Sequence, residues 1–96
     1  MQIEWDDEKS ASNFTKHGVD FLLGALIFEG DTFEYTDERR DYGEERIIAI
    51  GMVDGQFYTV VYTLREDVIR LISARKGGRR DRRKYEDAIA RRNQGT

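Results

Sequence analysis

At 96 residues the chain lies near the lower size at which one hydrophobic core suffices, and with 39% hydrophobic against 36% charged residues that core must be thin, one sheet covered by helices. Cysteine is absent, which excludes disulfides and thiolate metal sites, and no apolar run is long enough to cross a membrane. The net charge of −3 conceals a polarity: residues 1–45 carry thirteen acids and four bases (−9), residues 46–96 twelve bases and six acids (+6).

Gln2-Ile3-Glu4-Trp5 alternates polar and apolar and predicts a short strand. Asp6 or Asp7 caps a helix with acids in its first turn, where the dipole favours them, and the helix runs to about His17 before Gly18 ends it. Asp20 caps a second helix in which Phe21, Leu22, Ala25, Leu26 and Phe28 supply the main helical share of the core. Residues 29–45 are polar and acidic; Phe33 and Tyr35 mark a short extended piece, and 36–45 reads as a mobile loop. Strands are expected over 46–53, 56–64 and 68–76, joined by the Asp54-Gly55 hairpin signal and a turn at Arg65-Glu66-Asp67. A helix over 79–93 closes the chain, with Tyr85, Ala88 and Ile89 facing inward. The expected class is α+β, a single domain over 1–96. Its small antiparallel sheet, the N-terminal strand plus a three-stranded meander, carries two N-terminal helices and a C-terminal helix on one face. The other face of such a sheet can remain open to solvent and take a ligand.

The chemistry concentrates late in the chain. Residues 75–84 hold seven bases (Arg75, Lys76, Arg79, Arg80, Arg82, Arg83, Lys84) against one acid, Asp81. Such a cluster in an acidic chain calls for a polyanion, with RNA as first candidate and Tyr85 within reach to stack on a base. Cations in the first turn of a helix oppose the dipole at about 0.3–1 kcal/mol each, and a bound phosphate would reverse the sign. Pairing of these arginines with acids from 29–45 is the alternative. Arg46, Arg65, Arg70 and Arg75 belong to strands or their ends, as edge solubilisers or as parts of a site on the open face. In a simple meander Arg46 and Arg65 should fall near one end of the sheet and Arg75 at the far end of its strand from Arg65, with a diagonal approach of Arg46 to Arg75 left open. His17, the single histidine, sits beside Lys16 at a helix C-terminus, where it serves as a cap or as a general acid or base. No spacing of ligands suggests a metal and no motif suggests a cofactor, so neither is expected. RNA cleavage through its own 2′-hydroxyl requires only a proton acceptor and well-placed cations.

Trp5-Asp6, Lys9, Asn13, Lys16-His17-Gly18-Val19 and Phe21 resemble the opening of the BrnT toxin family. Gly43-Glu44-Glu45-Arg46, Thr63 with Arg65, the run from Arg70 to Lys76, and the Arg-rich final helix with Tyr85 extend that resemblance over roughly residues 3–87. The sequence departs from the family pattern at Gly77-Gly78 and at Asp81. The resemblance implies a RelE-like, metal-independent endoribonuclease toxin of a type II toxin–antitoxin pair, cytoplasmic and inhibiting translation. It also implies a DNA-binding antitoxin that forms a hetero-oligomer with the toxin and reaches operator DNA on its behalf. By the same resemblance Arg65, Arg75 and Tyr85 are the catalytic candidates, for phosphate stabilisation and for base stacking or proton transfer. His17 joins them as the chain's one imidazole, and their positive charge makes Lys16, Arg46, Lys76, Arg79, Arg80, Arg82 and Arg83 the candidate RNA contacts. A non-catalytic module that binds nucleic acid, or an acidic partner, through the same basic half is the competing reading.

Overall fold

The computed structural model describes residues 2–94. In chain order the elements are β1 (Ile3–Glu4), α1 (Asp7–His17), α2 (Phe21–Ala25), a 3-10 turn (Leu26–Glu29), β2 (Phe33–Thr36), β3 (Ile47–Val53), β4 (Gln56–Arg65), β5 (Val68–Lys76) and α3 (Arg79–Gln94). Local chemistry sets most of these boundaries. The Asp6 carboxylate accepts from the backbone N–H groups of Glu8 and Lys9, and Asp20 does the same for Leu23, each satisfying donors that a helix start leaves free. Gly18 ends α1 at φ 72°, the left-handed conformation a C-terminal glycine permits.

The five strands lie in the order β1-β5-β4-β3-β2. The β2–β3, β3–β4 and β4–β5 pairs are antiparallel, whereas β1 runs parallel to β5. The expectation of a four-stranded antiparallel sheet is therefore corrected to a five-stranded mixed one. A two-residue strand carries no directional signal, and the extended piece marked by Phe33 and Tyr35 is too short to show by itself that it pairs with the free edge of β3.

Alternation along β4 divides its side chains cleanly. One face buries Ala49, Tyr58, Val60, Tyr62, Ile69, Leu71 and Ala74 against Val19 and Phe21 at the start of α2 and Ile27 of the 3-10 turn. That turn sits directly on β3 because residue 51 is glycine: a Cβ there would lie 2.7 Å from the Ile27 Cβ. The other face is also apolar, with Ile48, Ile50, Phe57 and Val61 buried. It too needs cover, and α3 supplies it, with the Tyr85 ring 5.2 Å from Phe57 in an edge-on contact and Arg92 donating to the Thr32 carbonyl. The expectation that all helices share one face is thus also corrected.

At its β1 side the sheet is closed by a side chain. After Glu4 the strand leaves β5, and Asn13 of α1 takes its place. Its amide donates to the Ala74 carbonyl at 2.6 Å and accepts from the Ala74 N–H at 3.3 Å, as a neighbouring peptide would, and donates as well to the Val19 carbonyl. The 37–46 segment is likewise tied down. Asp37, 5% exposed, accepts a bidentate pair from Arg39 and a bond from the Tyr42 hydroxyl, while its own N–H extends the β2–β3 ladder to Arg46.

Candidate nucleic-acid interface

A single irregularity in β5 determines which side chains share a surface. Val61 pairs with Ser73 and Tyr62 with Leu71, so Ile72 is an extra residue, a β-bulge. In a regular strand Arg70 and Arg75, five positions apart, would point to opposite faces. The bulge shifts the phase, burying Ile69, Leu71 and Ala74 while turning Arg70, Ile72, Ser73 and Arg75 toward the α3 face.

Over the bulge the α3 face is not covered by the helix. Ile72 and Ser73 form the floor of two adjoining hollows. One, of about 220 Å³, is walled by Lys9, Ser12, Asn13, Lys16 and His17 of α1. The other, of about 400 Å³, is walled by Asp37, Arg39, Arg40, Tyr42, Arg46 and Val61. Together they make one groove running from the C-terminal half of α1 across β5 and β4 to the 37–46 loop. Its walls carry Lys9, Lys16, His17, Arg39, Arg40 and Arg46 against one carboxylate, Asp37, which Arg39 already neutralises. That bidentate hydrogen bond holds the Asp37 carboxyl well below the usual carboxylate range despite burial, aided by the Arg39 N–H and the Tyr42 hydroxyl.

Beyond the bulge, the joint between β5 and α3 orients Arg75. Its Nη1 donates to the Asp81 carboxylate at 2.9 Å and to the Lys76 carbonyl at 3.1 Å. Asp81 also accepts from the Gly78 N–H, closing the start of α3 from the third helical position, so the helix is capped although residue 78 is glycine. Burial raises the Asp81 carboxyl, but the Arg75 hydrogen bond and the Gly78 N–H outweigh it, with help from the buried Thr59 hydroxyl, and the carboxyl lies below its ordinary value. Thr59 Oγ1 itself has no hydrogen bond of good geometry. The Asp81 side chain is 11% exposed and that of Arg75 is 49%, so the pair presents its cationic half to solvent.

The remaining candidates occupy several places. Arg46 continues the groove wall, 3.4 Å from Glu44. Arg65 lies at the far end of β4, 4.0 Å from the same Glu44. Thr59, the partner of Arg75, is six residues from Arg65, which separates the two arginines by roughly 20 Å at 3.3 Å per residue. Arg65 and Arg75 therefore do not meet at one phosphate. Arg70 is paired with Glu4 at 3.6 Å, and Lys76 alternates to the opposite side from Arg75. Arg82 pairs with Glu86 within α3 and lies 5.6 Å over the Phe57 ring, and Lys84 donates to the Tyr35 hydroxyl. The α3 arginines do not pair with the acids of 29–45: Arg79, Arg80 and Arg83 are exposed beside the β5–α3 joint with no ion pair among the described residues. Tyr85 is engaged largely in packing against Phe57. No group of three His, Cys, Asp or Glu side chains among the described residues could hold a metal ion. No helix among them is long and apolar enough to cross a membrane.

Residues 5–81 match a family model described as the ribonuclease toxin, BrnT, of type II toxin–antitoxin systems. The chain belongs to the BrnT family. Membership makes it a ribonuclease toxin of a type II system, with RNA as substrate and an antitoxin protein as partner. No curated protein matches the chain. The BrnT match takes in both walls of the groove, the bulge, Arg75 and Asp81, and ends in the first turn of α3. Arg82, Arg83 and Tyr85 thus lie beyond it. Sequence reasoning missed the groove residues Ser73, Tyr42, Arg39 and Arg40. The one signal was the broken alternation of Ile69, Leu71 and Ala74, which only a bulge reconciles with a shared buried face.

Proposed function

We propose that the chain is a one-domain, RelE-like endoribonuclease that needs no metal ion or cofactor and arrests translation in the cytoplasm by cutting RNA in the groove over the β5 bulge. One observation carries this reading: the bulge puts Arg75 on the same sheet face as Ser73, whose hollows Lys16 and His17 flank from α1 and Arg46 from just before β3. In the reaction the 2′-oxygen attacks the adjacent phosphorus and the 5′-oxygen leaves, giving a 2′,3′-cyclic phosphate and a 5′-hydroxyl. The 2′-hydroxyl proton goes to a base and the leaving oxygen gains one. His17 is the groove's one imidazole and serves this proton transfer. Arg75, pre-oriented by Asp81, stabilises the charge that builds on the phosphoryl oxygens. Lys16 and Arg46 hold flanking phosphates. Arg79, Arg80, Arg82 and Arg83, with Arg65 and Lys76 at the margins, gather RNA toward the groove, and Tyr85 keeps α3 seated. A DNA-binding antitoxin neutralises the toxin by covering this basic surface and takes the complex to operator DNA.

The test is incubation of the purified chain with RNA in excess chelator, with product ends mapped. Cleavage should persist and leave cyclic phosphate ends. Arg75→Ala should lower kcat by roughly 10²- to 10³-fold, the effect of removing one charge-stabilising donor, while antitoxin binding is retained. Intact RNA, or cleavage abolished by chelator, overturns the proposal; RNA binding without cleavage supports the non-catalytic reading instead.

A further inference from the structure

Tyr42 lies in the loop wall of the groove, where it has several firm contacts and one loose one. Its hydroxyl donates to Asp37 at 3.1 Å, and Asp37 is itself buried and fixed by Arg39. Arg46 lies over the ring with its guanidinium carbon 4.0 Å from the centroid, and is steadied by Glu44 at 3.4 Å. Arg40 also contacts the ring, at 5.2 Å. Unlike Arg46, Arg40 has no ion pair or hydrogen bond among the described residues and is exposed. The loop does not need the ring for its anchorage, because the Arg39–Asp37 pair and the Asp37 N–H bond to Arg46 already secure it. A half-buried aromatic ring, rigidly held, lined by arginines and opening on a hollow of about 400 Å³, has the composition of a site for an unstacked base and its phosphates.

We propose that Tyr42 is a base-stacking platform for single-stranded RNA, on which one nucleobase takes the place of the Arg40 guanidinium while Arg40 swings to the phosphate beside it. This subsite rests on the reading of the groove as an RNA site and deepens it. The hollow shares Ile72 and Ser73 with the Lys16/His17 side, so the stacked base belongs to the strand that crosses the bulge. A base held on Tyr42 fixes which phosphate comes to rest over Ser73, and so sets the register of cleavage. Arg46 on the ring is the fixed member of the stack, and Arg40 the exchangeable one.

Binding can be read apart from cleavage with short single-stranded oligonucleotides carrying 2′-O-methyl groups, which cannot attack their own phosphates, and a fluorescent end label. An abasic unit is moved through the sequence one position at a time. Loss of one particular base should weaken binding to the wild-type chain by roughly 5- to 100-fold, the range of a base–aromatic stack. Tyr42→Ala should weaken binding of the intact oligonucleotide comparably and abolish the sensitivity at that position. Tyr42→Phe, which retains the ring and loses only the hydroxyl bond, should keep the sensitivity. Arg40→Ala should weaken all oligonucleotides alike and leave the base-specific loss in place. If no single base matters, or if the sensitivity survives in Tyr42→Ala with a melting profile like the wild type, the platform is overturned. A fall in all binding accompanied by lost folding in Tyr42→Ala, with Tyr42→Phe indifferent to every abasic position, also overturns it. A chain that binds with this pattern but does not cut natural RNA refutes the catalytic reading and leaves the platform standing.

Discussion

Asn13 is the residue on which the edge of the sheet depends. A residue of similar size that cannot hydrogen-bond would leave the Ala74 N–H and C=O and the Val19 C=O buried without partners, since Asn13 meets all three. Each orphaned buried group costs about 1–3 kcal/mol, partly relieved by relaxation. Asn13→Leu is therefore expected to lower unfolding free energy by about 2–4 kcal/mol, read as a lower urea midpoint at unchanged slope. The family resemblance includes Asn13, beside Lys16 and His17. Its geometry gives it a structural role, because it ties the α1 wall of the groove to the backbone of Ala74, between the bulge and Arg75.

Among the elements, the joint between β5 and α3 is tighter than its two glycines suggest. The Gly77 N–H donates to the Phe57 carbonyl at 2.8 Å, and a Cβ on residue 77 would sit 3.1 Å from the Phe57 Cβ, whereas one on residue 78 would meet nothing. Gly77→Ala should push Phe57 and Tyr85 apart and destabilise by about 1–2 kcal/mol, and Gly78→Ala should be neutral or mildly stabilising by stiffening the unfolded chain. Thermal melts of the two single variants separate these outcomes. This asymmetry was invisible in the sequence, where the pair read as one loose connector. What was legible rested on local chemistry. The Asp6 and Asp20 caps, the Gly18 stop and the Asp54-Gly55 turn, with both turn residues at positive φ, placed α1, β3, β4 and the start of α2 within a residue or two, although the helix expected to run on to Phe28 gives way after Ala25 to the 3-10 turn. The third strand and the last helix fell within a residue of their predicted spans. What was not legible depends on pairing across long separations. The direction of β1, the recruitment of β2, the side on which α3 lands and the extra residue in β5 are all decided by partners far along the chain. The basic cluster at 75–84 was obvious as charge, but the groove needs Lys9, Lys16 and His17 from one end of the sequence and Arg39 to Arg46 from the middle.

For the molecule as a whole, three buried or half-buried titrating groups bound the pH range of full stability. Asp37 and Asp81 have carboxyls held below their ordinary value, so each stabilises the fold above the unfolded carboxylate pKa of about 4, and that contribution is lost as pH falls toward the folded value. Tyr62 is shifted the other way: burial first, then its hydrogen bond to Glu34, raises its hydroxyl above the ordinary value. Its contribution is complete below the unfolded pKa of about 10 and is lost as pH rises beyond it. Urea midpoints plotted against pH should accordingly drop below about pH 4 and above about pH 10. Tyr62→Phe should flatten the alkaline limb and Asp37→Asn the acid one. An alkaline limb of unchanged steepness in Tyr62→Phe would mean that another group governs it.

The bulge in β5 also bears on how this strand tolerates gain and loss of residues over evolutionary time. Removing either Ile72 or Ser73 would restore plain two-residue alternation while keeping Ile69, Leu71 and Ala74 on the buried side and Arg70 and Arg75 on the groove side. A deletion outside residues 70–75 would instead leave the bulge in place and shift the pairing of the rest of the strand by one residue. Length variation among relatives should thus collect at this one step. Chains lacking the extra residue would keep their cations outward and lose only the added twist and one side chain from the groove floor.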